Sequence, residues 1–220
     1  MAQKRIDFIS FEDFSKLYKF EKDKKMKLCL LLGFGSGLRI SEIIGLNKEI
    51  SPCCRKDIIR ERKKSDGKTL KILVCSECKK EIKLENVKRH LTEWKIPPLT
   101  KDKIDIEKHQ IKIDMAKGNK WRITITAPLL TENMLELLPI KMGRRTLQLK
   151  FEQLSINILN KKMSFHTLRH GFGNYQANIL KIPLPIVQQM MGHTRLDTTG
   201  IYTKANPEES IKKVWEAMNG

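Results

Sequence analysis

Between residues 47 and 101 this chain has no long apolar face. The stretch is dense in Lys, Arg, Glu and Cys, and Pro52 and Pro97-Pro98 bracket it. A segment so composed cannot bury a large core of its own, so it reads as an insertion within a domain whose apolar periodicity lies on either side. Upstream, Ser10 is placed to cap a helix on which Phe14, Leu17 and Tyr18 share one face. A second helix is predicted over 23–36, burying Leu28, Leu31 and Leu32. Gly33, Gly35 and Gly37 loosen its end and favour a turn before Arg39. Ser41 is then expected to cap a short helix over 42–46.

Downstream of the insertion, residues 104–106, 110–113 and 121–126 alternate apolar and polar, the period of half-buried strands. A turn, Lys117-Gly-Asn-Lys120, joins the last two. From residue 131 the helical period returns. Leu147, Phe151, Leu154 and Ile158 form one stripe, a helix is predicted over 167–180, and shorter ones follow after Pro185, over 198–203 and over 207–218. Tyr18, Tyr175 and Cys29 read as packing residues. No internal repeat is legible. The expected fold class is α+β, mainly α, with a small three-stranded antiparallel sheet and an inserted subdomain. The domain runs 1–220, interrupted by 47–101.

The chain carries 43 Lys+Arg against 25 Asp+Glu among 220 residues, a net charge of +18. Such a chain repels itself until it meets a polyanion, which makes nucleic acid the leading partner. The longest apolar run, near 28–38, contains glycines and is far shorter than the ~20 residues a membrane span needs. No targeting segment follows the first charges, and an odd number of cysteines does not suggest a secreted disulfide framework. The expectation is a cytoplasmic, nucleoid-associated protein with no membrane partner.

Chemistry concentrates in Ser164-Phe-His-Thr-Leu-Arg-His170, Met191-Gly-His193 and Thr199-Gly-Ile-Tyr202, with Gly37-Leu-Arg39-Ile-Ser-Glu42 and Ala116-Lys117-Gly-Asn-Lys120 earlier in the chain. Guanidinium stays charged at any relevant pH and matches phosphate oxygens bidentately. An imidazole near neutrality suits proton transfer, and a phenol with a free pKa of about 10 is a nucleophile once helped to lose its proton. Two arginines, imidazoles and a tyrosine are the groups needed to hold a phosphodiester and attack it without a metal.

In content, order and the nine-residue step from His193 to Tyr202, these fragments resemble the catalytic domain of the tyrosine recombinases, the integrase family. The resemblance covers most of the chain outside 47–101. It implies that Arg39 and Arg169 clamp the scissile phosphate, Tyr202 attacks to leave a 3′-phosphotyrosyl bond, His166 acts as general base and His193 orients the phosphate. Lys117, with Lys120 as the close alternative, protonates the leaving 5′-oxygen. Glu42 and His170 are supporting residues. The resemblance further implies no cofactor for catalysis, double-stranded DNA as partner, a homo-tetramer on DNA and a monomer without it. The expected function is site-specific DNA cleavage and rejoining, for integration or excision of a mobile element. A type IB topoisomerase activity and a catalytically silent DNA-binding regulator are the alternatives. The family's helical core-binding domain is expected to be missing, and so long an insertion is a departure from its pattern.

Within the insertion, Cys75-Ser-Glu-Cys78 has the spacing of a zinc knuckle. Cys53 and Cys54 precede it and His90 follows. Two readings stand open. In one, Cys75, Cys78, His90 and either Cys53 or Cys54 hold a structural zinc that supplies folding energy the segment lacks. In the other, the segment is a plain charged hairpin with free thiols.

Overall fold

The computed structural model describes residues 8–65, 68–82, 92–114 and 121–192. The chain forms two compact units, one built from the residues up to Ile44 and from Leu99 onward, the other from Gly45–Pro98. The helices expected over 198–203 and 207–218 and the turn expected at 117–120 lie outside the described residues.

In the first unit, helix α1 (Phe11–Phe20) begins where Ser10 Oγ accepts the Asp13 amide at 3.1 Å. It buries Phe14 and Leu17. Phe14 stacks on Phe34 with ring centroids 4.3 Å apart, a contact worth about 1 kcal/mol beyond area burial. Helix α2 (Lys24–Leu30), capped by Asp23, runs into a widened turn of π-helix over Leu31–Gly35. Sequence periodicity predicts one continuous helix here, and the structure departs from it for a steric reason. Gly33 lies against Leu168, and Gly35 lies so close to Ala127 that a Cβ there would sit 2.4 Å away. The wide turn closes with Leu38 N donating to Leu32 O at 3.0 Å, and Gly37 takes φ +68°. Arg39 leaves this turn extended, at φ −76° and ψ 151°.

Helix α3 (Ile40–Ile43) corrects the sequence expectation. Ser41 is inside the helix rather than at its cap, and Leu46 belongs to a strand. The cap is made by Glu42, whose Oε2 accepts the Arg39 amide at 2.7 Å. A carboxylate near the helix start suits the macrodipole better than a hydroxyl.

Strands Ile104–Asp105, Gln110–Asp114 and Trp121–Ile125 form an antiparallel sheet in that order, as predicted. The period of two holds, but on the last strand the buried face is the polar one. Arg122, Thr124 and Thr126 are buried, whereas Trp121, Ile123 and Ile125 are exposed. Ile113 sits opposite Arg122 and Ile111 opposite Thr124. Thr124 Oγ1 donates to the Ser36 carbonyl at 2.8 Å, so this buried hydroxyl has its partner.

Helix α4 (Glu132–Leu135) is followed by α5 (Arg144–Leu159), which buries Leu147 and Phe151 on the predicted stripe. It ends at Asn160 in the left-handed region. Helix α6 (His166–Asn174) continues as a π turn over Tyr175–Ile179, and α7 (Leu184–Met191) ends at Gly192 with φ +64°. Among the described residues, no helix is long and apolar enough to cross a membrane.

The second unit contains two antiparallel pairs, Leu46–Glu49 with Thr92–Ile96 and Ile58–Ser65 with Lys68–Cys75. Its buried apolar side chains among the described residues are few: Ile50, Val74, Ile82 and Ile96, beside Cys75.

The turn that presents Arg39 depends on Gly37. A Cβ there would lie 2.5 Å from the Phe172 ring as well as forcing a left-handed residue. Gly37→Ala is expected to destabilise the domain by about 2–4 kcal/mol in urea denaturation. Gly143→Ala, whose Cβ would meet nothing closer than 3.6 Å, should change stability by less than about 1 kcal/mol.

Candidate active site

The site is organised around one carboxylate. Glu42 is 5% exposed, and its Oε1 and Oε2 accept from Arg122 NH1 at 2.9 Å and NH2 at 3.0 Å, a bidentate pair. Arg39 NH1 bonds the same Oε1 at 2.9 Å, and Arg169 NH1 lies 3.9 Å from Oε2. Burial alone would raise the Glu42 pKa. The charges of Arg122, Arg169 and Arg39 outweigh that and hold its carboxyl below the usual range. Three guanidinium groups around one carboxylate leave an excess of positive charge, and the natural complement of that excess is an anion.

The arginines play different parts. Arg169 is 1% exposed and donates through NH1 to the Gly37 carbonyl at 2.5 Å and through NH2 to the Met191 carbonyl. Arg122 is as buried as Glu42 and also donates through Nε to the Met190 carbonyl at 2.8 Å. It thereby ties strand Trp121–Ile125 to the end of α7. Arg39 keeps a side chain 35% exposed. With His166, Ser41, Arg144, Arg145 and Lys162 it lines a cleft of about 820 Å³.

His166 opens α6 and faces this cleft, while its ring meets that of His170 edge-on at 4.5 Å. His166 is an exposed residue whose ring nonetheless packs against His170 and is partly desolvated. That desolvation, followed by the positive charges of His170, Arg169 and Arg39, lowers its pKa from 6.5 to about 4. Partial burial, then Arg169, lowers His170 as well. A neutral imidazole at pH 7 has a nitrogen free to accept a proton, which a general base requires.

The structure therefore brings Arg39, Glu42, His166, Arg169 and His170 together. Lys117, Lys120, His193, Tyr202 and His90 lie outside the described residues. In the second unit, the sulfur atoms of Cys53, Cys54, Cys75 and Cys78 lie within 4.8 Å of one another, a set with metal-ligand chemistry. Cys29 is apart from them, and burial pushes its thiol up to about 12.

Sequence reasoning missed Arg122, Arg144 and Arg145. The signal for Arg122 was its place in a strand alternation, where a charged residue on the buried face demands a buried partner. Arg144 and Arg145 open a 16-residue helix with no acidic residue in its first turn. Cations there oppose the helix dipole, an arrangement that makes sense where an anion is received.

Two outcomes test this arrangement. Arg122→Met removes the bidentate partner of a buried carboxylate and should cost about 3 kcal/mol in urea denaturation. The histidines give a pH dependence of definite sign. Their folded-state pKa values lie below the unfolded value of about 6.5, so unfolding takes up protons and stability falls as pH drops from 6.5 towards 4. Urea midpoints at pH 7 and pH 5 should show that loss, and a His166→Gln, His170→Gln variant should show less of it.

Parts of the sequence and the fold are similar to those of known proteins. Residues 137–209 match the model of the phage integrase family. The tyrosine recombinase XerC of Thermodesulfovibrio yellowstonii is 27% identical over 210 residues, covering 93% of this chain and 60% of the relative. The crystal structure of XerA recombinase matches with a TM-score of 0.56 at 16% identity, covering 96% of this chain and 64% of that one. The catalytic domain of bacteriophage HP1 integrase matches with a TM-score of 0.52 at 15% identity, covering 94% and 95%. At such identities the likeness to solved structures is one of fold. This chain spans 60% of the length of the XerC relative. The last third of the chain is thus similar to the phage integrase family, and the fold is that of tyrosine recombinase catalytic domains.

Proposed function

We propose that this chain is the catalytic part of a site-specific DNA recombinase that cuts and rejoins double-stranded DNA through a 3′-phosphotyrosyl intermediate. The observation that carries the reading is the Glu42-centred cluster, with Arg39 and His166 opening into one basic cleft. Arg39 contacts the non-bridging oxygens of the scissile phosphate and opposes the charge that builds on phosphorus. Arg169 adds its charge from beneath, and it joins the phosphate where the Met191 carbonyl releases its guanidinium. His166, neutral at pH 7, takes the proton of Tyr202 as its phenolic oxygen attacks.

The bond from phosphorus to the tyrosine oxygen forms as the bond to the 5′-oxygen breaks. Lys117 supplies the proton that leaves with the 5′-hydroxyl, and His193 orients the phosphate. Phosphodiester energy is kept in the phosphotyrosyl bond, so rejoining needs no nucleotide cofactor and the chemistry needs no metal. Arg144, Arg145 and Lys162 extend the positive lining along the DNA backbone. On this reading the protein acts at the nucleoid as a homo-tetramer on DNA and serves integration or excision of a mobile element.

A nicked suicide duplex tests the proposal. It should trap a covalent protein–DNA adduct that disappears in Tyr202→Phe and forms about 100-fold or more slowly in Arg39→Ala and His166→Gln. Failure of DNA-bound wild-type protein to form any adduct would overturn it, and relaxation of supercoils without strand exchange would move the assignment to a topoisomerase.

A further inference from the structure

The two cysteine-bearing turns of the second unit are copies of one another. Ile50-Ser-Pro-Cys-Cys-Arg-Lys-Asp57 and Val74-Cys-Ser-Glu-Cys-Lys-Lys-Glu81 align residue for residue, an internal repeat that the sequence reading passed over. Ile50 bridges Asp57, and Val74 bridges Glu81. Ser51 N donates to Lys56 O at 2.7 Å, and Cys75 N to Lys80 O at 3.0 Å. Arg55 N donates to Ser51 O at 3.0 Å, and Lys79 N to Cys75 O at 3.1 Å. Arg55 and Lys79 both take the left-handed conformation, at φ +52° and +58°. The two loops share one backbone conformation, so Cys54 corresponds to Cys78, and Ser51 stands where Cys75 stands.

We propose that Cys53, Cys54, Cys75 and Cys78 bind one Zn²⁺ as a four-thiolate site. In it Cys53 replaces the ligand that the repeat would place at Ser51, and the Ser51 hydroxyl holds the Cys75 sulfur. Four sulfurs within 4.8 Å of one another fit a tetrahedron whose edge, for Zn–S bonds of about 2.3 Å, is about 3.8 Å. Ser51 Oγ lies 3.1 Å from Cys75 Sγ, and the backbone N–H groups of Cys78 and Glu77 face the same sulfur. Hydrogen bonds of this kind orient a metal-bound thiolate and spread its charge. A zinc with four thiolates is a dianion, and Arg55, Lys56, Lys79 and Lys80 follow the two turns to offset it. Binding expels the thiol protons to solvent.

The fold gives the metal a task. Few apolar side chains are buried in this unit among the described residues, too few to hold two long hairpin strands, and a metal between the turns supplies the missing cohesion. Cys29 does not compete, being fully buried in the other unit. The inference does not rest on the recombinase reading, since no thiol has a part in DNA cleavage, and failure of one leaves the other standing.

The test uses the full chain purified without chelator. Metal analysis should find one zinc per chain, and exchange into Co²⁺ should give the thiolate charge-transfer and visible bands of a tetrahedral sulfur site. Cys53→Ser should lose stoichiometric zinc, and adding Ser51→Cys to it should restore one zinc, because the repeat then supplies both of its ligands. Ser51→Ala should weaken binding by about tenfold. Substoichiometric zinc after incubation with Zn²⁺, a chain lighter by two hydrogens from a disulfide, or full zinc affinity in Cys53→Ser would overturn the proposal. Should Cys53→Ser not fold, the cobalt spectrum of the wild type and the zinc content of the Ser51→Cys, Cys53→Ser protein decide it.

Discussion

The buried carboxylate of Glu42 is the interaction on which the first unit depends. It closes the start of a four-residue helix through the Arg39 amide, grips Arg122 from the sheet and stands beside Arg169 from α6. Three chain segments far apart in sequence meet at two oxygen atoms. A buried ion pair of this kind contributes little net stability, because desolvation cancels much of the attraction. It does impose a geometry: losing any partner leaves a charge without compensation. The same charge imbalance that makes the cluster costly makes it receptive to an anion.

Around that point the structure builds a graded field. Arg169 and Arg122 are sealed inside and bonded to backbone carbonyls, whereas Arg39 and His166 remain at the surface of the cleft. Buried members are fixed by backbone carbonyls, and exposed members line the cleft. The low pKa of His166 follows from the same gradient, since a ring placed among cations disfavours its own proton.

Much of this was legible in the sequence, where local chemistry decides the outcome. The Ser10 cap, the three strand positions and the stripe on α5 all follow from spacing and side-chain type. The reading ran out where tertiary contacts override local preference. The π turn at Leu31–Gly35 arises from close approach of Ala127 and Leu168 to glycines, which no helical period records. Ser41 looked like a cap because hydroxyls often are, but Glu42 reached the Arg39 amide first. The strand alternation marked Arg122, but not its partner, which lies 80 residues away. The repeat around Ser51 and Cys75 was hidden by the one substitution that breaks its cysteine pattern.

The second unit begins and ends at one spot. A Cβ on Gly45 would lie 3.0 Å from the Pro98 nitrogen, and in the first unit Leu99 N donates to Ile43 O at 3.2 Å. In the first unit the chain therefore leaves after Ile43 and returns at Leu99 at points joined by a backbone hydrogen bond. Ends that lie so close in the first unit need only a short connection, so the length of chain between them is not fixed by that unit's fold.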